Sequence, residues 1–157
     1  MLGLAAAGPA LAQNVIRQEG WEGFATRTPE GRFEQCVLYN RTIQALTASP
    51  SNMIGITRDA AGKVGLIAFF EPRSLTRAES TPMTIRIDQH PAVTVSSSVL
   101  SDFHAATGGG LDAATVTALR TASTVTVTVE QRALHLEIAD VAGVLDTLEA
   151  CVAANSR

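Results

Sequence analysis

Asp102 and His104 stand two apart, close to Ser96, Ser97, Ser98 and Ser101. An acid, an imidazole and a hydroxyl are the parts of a nucleophilic hydrolase, in which the histidine takes the serine proton and the acid orients the histidine. The spacing speaks against that chemistry. Residues two apart on a strand point the same way without being aimed at a nucleophile, and no GxSxG elbow exposes any of these serines. The remaining histidines, His90 and His135, fall in other predicted elements, so no HxH or HxxxH pair offers a metal site. Gly108-Gly109-Gly110 is followed by no Gly-Lys-Ser/Thr and opens no dinucleotide-binding helix, so it reads as a hinge and not a phosphate cradle. No catalytic residue, metal ligand or cofactor is assigned.

Cys36 and Cys151 are the only cysteines, and their spacing fits no zinc or redox motif. In an oxidising compartment, an even count in widely separated elements favours one disulfide. The alternative is two buried free thiols acting as small hydrophobes. The N-terminus bears on the compartment. MLGLAAAGPALAQ is apolar, rich in small residues, and ends its apolar run in Ala10-Leu11-Ala12, small at the positions a signal peptidase reads. Cleavage there leaves Gln13 first. A basic segment before the apolar run is missing, and the other reading is a short N-terminal helix, which Gly8-Pro9 would break. The expectation is a signal-peptide remnant over 1–12 and one β-rich domain over 13–157, periplasmic or secreted.

The elements that must position these residues are legible from periodicity. Over Thr124–Val129, Val125, Val127 and Val129 alternate with threonines, and Leu134, Leu136 and Ile138 alternate with His135 and Glu137. Period-two alternation marks a sheet with one buried face. Val141, Val144, Leu145, Leu148, Cys151 and Val152 then fall on one helical stripe, with Asp140 placed as its N-cap. Upstream, Gly20–Arg27 and Arg32–Arg41 read as strands around Thr28-Pro29-Glu30-Gly31, and a polar linker through Ser49-Pro50-Ser51-Asn52 follows. Met53–Thr57 and Lys63–Phe70 form a second hairpin, and VGLIAFF, apolar on both faces, reads as a central strand covered on two sides. Thr84–Ile87 and Ala92–Ser96 form a third hairpin, Ser96–Ala106 extends the sheet, and Asp112–Thr121 is a short helix anchored by Val116 and Leu119. Glu71–Pro82, polar and bracketed by prolines, is the clearest loop. Its Arg73 and Arg77 are candidates for meeting a partner, although solvated loop arginines are the commoner case.

Composition narrows the classes. The chain of 157 residues is 46% hydrophobic and 17% charged, which describes a folded protein with a substantial core. A net charge of −3 provides no clustered positive field for nucleic acid. No apolar run approaches the roughly 20 residues that cross a bilayer, so no stable membrane insertion is expected. Lys63 is the only lysine among 12 basic residues, a composition that leans to a GC-rich bacterial genome.

With this pattern assembled, the sequence resembles the invasion-associated locus B family of periplasmic proteins, mostly from alphaproteobacteria. The residues that carry the resemblance are the early strand with Gly20-Trp21, the strand cysteine Cys36 and the hairpin IRIDQHPAVTV. They continue through ALRTASTVTV and LHLEI to the helix VAGVLDTLEAC, which ends at Cys151. The closing strand, helix and cysteine are also similar to type VI secretion accessory lipoproteins of the envelope. The resemblance implies a non-enzymatic envelope or host-surface protein that binds a protein partner of unknown identity, with no catalytic residue to carry over. The alternative from another class is an inhibitor of a host or competitor hydrolase, presenting the 71–82 loop to an active-site cleft. The expected fold is mainly β, an antiparallel sandwich or curved sheet with one short helix and a C-terminal helix packed on it.

Overall fold

Alternation of apolar and polar residues runs through most of the chain, and one sheet absorbs it. The computed structural model describes residues 14–49 and 51–156; the export motif Ala10-Leu11-Ala12, Gln13 and the linker's Pro50 lie outside them. The strands are β1 (Ile16–Gln18), β2 (Trp21–Arg27), β3 (Phe33–Tyr39), β4 (Met53–Asp59) and β5 (Val64–Phe69), then β6 (Ala78–Ile87), β7 (Val93–Ser101), β8 (His104–Thr107), β9 (Thr124–Val129) and β10 (Arg132–Glu137). Three helices accompany them: α1 (Ile43–Ala48), α2 (Ala113–Arg120) and α3 (Val141–Asn155). All strand pairs are antiparallel, in the order β1-β2-β3-β4-β5-β8-β7-β6-β9-β10. The chain therefore meanders to β5, jumps to β6, and returns so that β8 lies beside β5. The sheet is open, with β1 and β10 at its edges.

The core lies on one face. Cys36, Leu38, Ile54, Ile56 and Leu66 share one cluster with Met83, Ile85, Val127 and Leu134 from the far half of the sheet. Strands so distant in order meet in one core only if the sheet is strongly curved, as the twist of antiparallel sheets allows. α3 lies across β2, β3 and β4, with all six residues of its expected stripe buried. Where the curved sheet brings its two ends together, side chains lace them. The Trp21 indole donates to the Ala139 carbonyl at 2.9 Å, while Gln18 donates to Asp140 at 2.6 Å and accepts from Thr147 at 3.0 Å.

Three expectations need correction. The 71–82 loop ends at Arg77, because β6 begins at Ala78. Its first residues are polar and pair with β7 across a bulge between Ala78 and Thr81, which hides the alternation. Pro82 is tolerated because the ladder to β9 starts only at Met83, so no partner on that side needs its missing N–H. Asp140 precedes α3 but makes no side-chain cap: its backbone is left-handed, at φ 57°, and its carboxylate takes Gln18 instead. Gly143 leaves room for that arrangement, since a Cβ there would stand 2.6 Å from the Asp140 carboxylate. Finally, α1 and β1 have no counterpart in the periodicity. α1 buries no residue and depends on polar contacts, with Thr42 accepting from the Ala45 amide at 3.1 Å and Glu22 from the Ile43 amide at 2.9 Å.

Cys36 and Cys151 are disulfide-bonded, with Cα atoms 6.3 Å apart. The bond closes a separation of 115 residues, which in the chain-entropy account stabilises the fold by about 4–5 kcal/mol. Cys36→Ser and Cys151→Ser are therefore expected to lower the melting temperature by similar amounts, on the order of 10 °C, with no further loss in the double variant. Thermal denaturation of the three variants checks this, and clearly unequal single losses would mean that one cysteine acts apart from the bond.

Candidate functional site

The opposite face of the same strands is also apolar in its middle. Val37, Met53 and Phe69 are buried yet stand outside the main core cluster. On this outer face, aromatic rings line up across the sheet. Phe24 meets Tyr39 at 6.2 Å between ring centres, Tyr39 meets Phe69 edge-on at 5.8 Å, and Phe69 stacks on His104 at 4.7 Å with the planes 6° apart. Phe103 completes the row, 6.2 Å from both Phe69 and His104. Registration explains the contacts: Phe69 faces His104 across β5 and β8, and Tyr39 faces Gly55 across β3 and β4. A Cβ at Gly55 would stand 2.9 Å from the Tyr39 ring, so glycine is what lets that ring lie over β4. Tyr39, Phe24, Phe103 and His104 remain half-buried, leaving edges of the row open to solvent.

The loop after β5 is fastened beside this row. The Phe70 amide donates to the Phe103 carbonyl at 2.7 Å and the Leu75 amide to the Asp102 carbonyl at 2.8 Å. The Asp102 carboxylate accepts from the Arg73 amide at 3.0 Å, and Glu130 accepts from the Thr76 amide at 2.8 Å. Leu75 is buried beneath, while Arg73 and Arg77 are exposed and take part in no ion pair among the described residues.

These contacts give the sequence candidates different tasks. Asp102 anchors the arginine loop and does not orient His104. His104 lies flat on Phe69. Ser97 donates to the Thr81 carbonyl, Ser98 to the Glu79 carbonyl, Ser96 pairs with Ser80, and Ser101 accepts from the Phe103 amide, so each hydroxyl is engaged locally. His135 pairs with Thr126 at 2.7 Å and His90 sits in the β6–β7 turn, both apart from His104. Among the described residues, no three His, Cys, Asp or Glu side chains converge as metal ligands. Sequence reasoning missed the aromatic row. Its one visible signal is the double-sided apolar run that ends in Phe69 and Phe70.

Burial raises the Tyr39 hydroxyl above its usual range and lowers the His104 imidazole below its own, so both are uncharged at neutral pH. The row is thus an uncharged aromatic strip, and the loop fastened at Asp102 and Phe103 carries two exposed arginines. Such a surface offers area and cation–carboxylate contacts, the chemistry of recognition.

A curved antiparallel sheet with a covalently tethered helix inside and an aromatic strip outside defines a β-rich scaffold that carries a surface. No protein-family model matches the chain, and no curated protein matches it. Among solved structures it is similar to invasion associated protein B from Bartonella henselae, at 13% identity and a TM-score of 0.51, over 91% of this chain and 99% of that one. At that identity the likeness is one of fold.

His104 also makes stability depend on pH. Its folded-state pKa is depressed, so between that value and the ordinary one near ~6.5 the unfolded chain binds more protons than the native protein. Its contribution is present above about pH 6.5 and is lost as pH falls through the depressed value. Asp88, held low by the Thr124 and Ser123 amides, acts only below the ordinary carboxylate value near ~4. The melting temperature is expected to fall as pH drops below about 6.5, and His104→Phe, which keeps the stack, to flatten that fall. An unchanged slope in the variant would assign the proton uptake to another group.

Proposed function

We propose that this chain is an exported, non-enzymatic envelope protein of the invasion-associated locus B kind, which acts by binding a protein partner. The observation that carries the reading is the aromatic strip from Phe24 to Phe103, whose last residue anchors the loop that carries the exposed Arg73 and Arg77. Aromatic and arginine side chains dominate the energetics of protein interfaces. Here the rings are held by cross-strand packing and the loop by four backbone-directed hydrogen bonds, so little ordering entropy opposes binding. The partner surface that fits is an apolar patch rimmed by carboxylates. The long-range disulfide and the fold likeness to a bacterial invasion-associated protein support a periplasmic or secreted location. No helix among the described residues is long and apolar enough to cross a membrane.

A second reading, inhibition of a host or competitor hydrolase, is favoured by one feature. The 71–77 loop is held from two sides, at Asp102 and Glu130, and points two arginines into solvent. A loop prepared in this way suits insertion into an acidic cleft.

The test is affinity capture from envelope extract, followed by affinity measurement with the purified captured protein. Phe103→Ala and Arg73→Ala are each expected to weaken binding by about tenfold or more, as truncated interface anchors do, while Arg132→Ala on β10 leaves it unchanged. Binding indifferent to both strip variants would reject the surface. For the inhibitor reading, Arg73→Ala with Arg77→Ala must abolish inhibition of the captured hydrolase without unfolding the protein.

A further inference from the structure

Away from the aromatic strip, β3, β4 and β5 meet the glycine loop 108–110 around a polar cavity of about 250 Å³. Its floor is Gly65, in the interior of β5, where glycine weakens a strand. A Cβ at Gly65 would stand 2.7 Å from the Thr57 hydroxyl oxygen and 3.0 Å from that of Thr107. Glycine thus keeps open the point on which two hydroxyls converge.

Both hydroxyls have a proton to give. Thr57 is 7% exposed, and no hydrogen bond holds its hydroxyl among the described residues. No fully enclosed side-chain polar atom lacks a partner there, so this hydroxyl opens into the cavity. Thr107 accepts from the Leu66 amide at 3.1 Å, which leaves its O–H free to donate. Lys63, the chain's only lysine, lines the rim with its stem laid on Gly110, since a Cβ there would stand 3.1 Å from the Lys63 Cβ. Its ammonium joins no ion pair among the described residues. The one opposing group is Asp59, whose Oδ1 already accepts from the Ala61 and Lys63 amides at 2.9 Å each.

Two hydroxyls that line one small volume, with the exposed Lys63 side chain on its rim, call for a ligand of acceptor oxygens, and the nearby Asp59 carboxylate disfavours a second negative charge. We propose that this cavity binds a small monoanionic carboxylate, held by the Lys63 ammonium and the Thr57 and Thr107 hydroxyls. The site is independent of the aromatic strip and takes no part in partner recognition there. Loop glycines that the sequence marks only as a hinge then form a wall of a binding site.

The experiment is titration of the full 15N-labelled protein with sodium acetate at constant ionic strength, set by sodium chloride, following the amides of Gly65 and Gly108 to Gly110. Saturable shifts are expected, weakened by about tenfold in Lys63→Met, which keeps the stem on Gly110, and similarly in Thr57→Val, which keeps the shape. Inorganic phosphate should saturate only at higher concentration. Shifts that rise linearly with acetate, saturation unchanged in both variants, or tighter binding of phosphate than of acetate would each overturn the assignment.

Discussion

The bond between Cys36 and Cys151 governs how far the sheet can uncurl. A sheet of ten strands with two free edges has no backbone closure of its own, and its curvature depends on what fills its inner face. Here that filling is α3, fastened to β3 by the disulfide and to the sheet's two ends through Trp21, Gln18 and Asp140. Because successive strand residues point to opposite faces, the clamp on Cys36 also steadies its outward neighbours. Gln35 borders the polar cavity and Tyr39 belongs to the aromatic strip. One inward bond therefore stabilises two outward surfaces.

Those surfaces are further shaped by omission of side chains. Gly55 in β4 and Gly65 in β5 both face outward. Over the first lies the Tyr39 ring and over the second the Thr57 and Thr107 hydroxyls. Each glycine gives up β-propensity and side-chain packing at its own position, and in each case the space is occupied or lined by a neighbour's functional group.

What the sequence makes legible follows from the range of the interactions involved. The stripe of α3 and the alternation in β9 are set by near neighbours, and the buried residues match the reading position by position; beyond β9, Leu134 and Ile138 are buried while Leu136 is half-buried. The disulfide is legible because two cysteines leave one possible pairing. The polar start of β6 is not, since its pairing with β7 runs through a bulge that breaks the period. The Asp140 cap failed for a related reason: a residue from the other end of the sheet, Gln18, competes for its carboxylate. The aromatic strip joins β2, β3, β5 and β8, and β8 comes to lie beside β5 only after the chain has passed through β6 and β7. Local periodicity carries no record of that return. Asp102 and His104 are neighbours in sequence and in space, yet proximity told nothing of their tasks, which are set by Arg73 and Phe69.

The tie between Glu130 and the Thr76 amide has a consequence for the hairpin that supplies it. Glu130 and Gln131 form the two-residue turn between β9 and β10, and both have left-handed backbones, at φ 50° and 67°. Turns of this shape match the twist of their strands but favour asparagine and glycine, and each ordinary side chain held there carries strain on the order of 1 kcal/mol. Asparagine-glycine would relieve that strain while losing the carboxylate that reaches Thr76. The tension in this turn and the posture of the arginine loop are thus two ends of one lever, and a more relaxed hairpin would be obtained by letting the loop go.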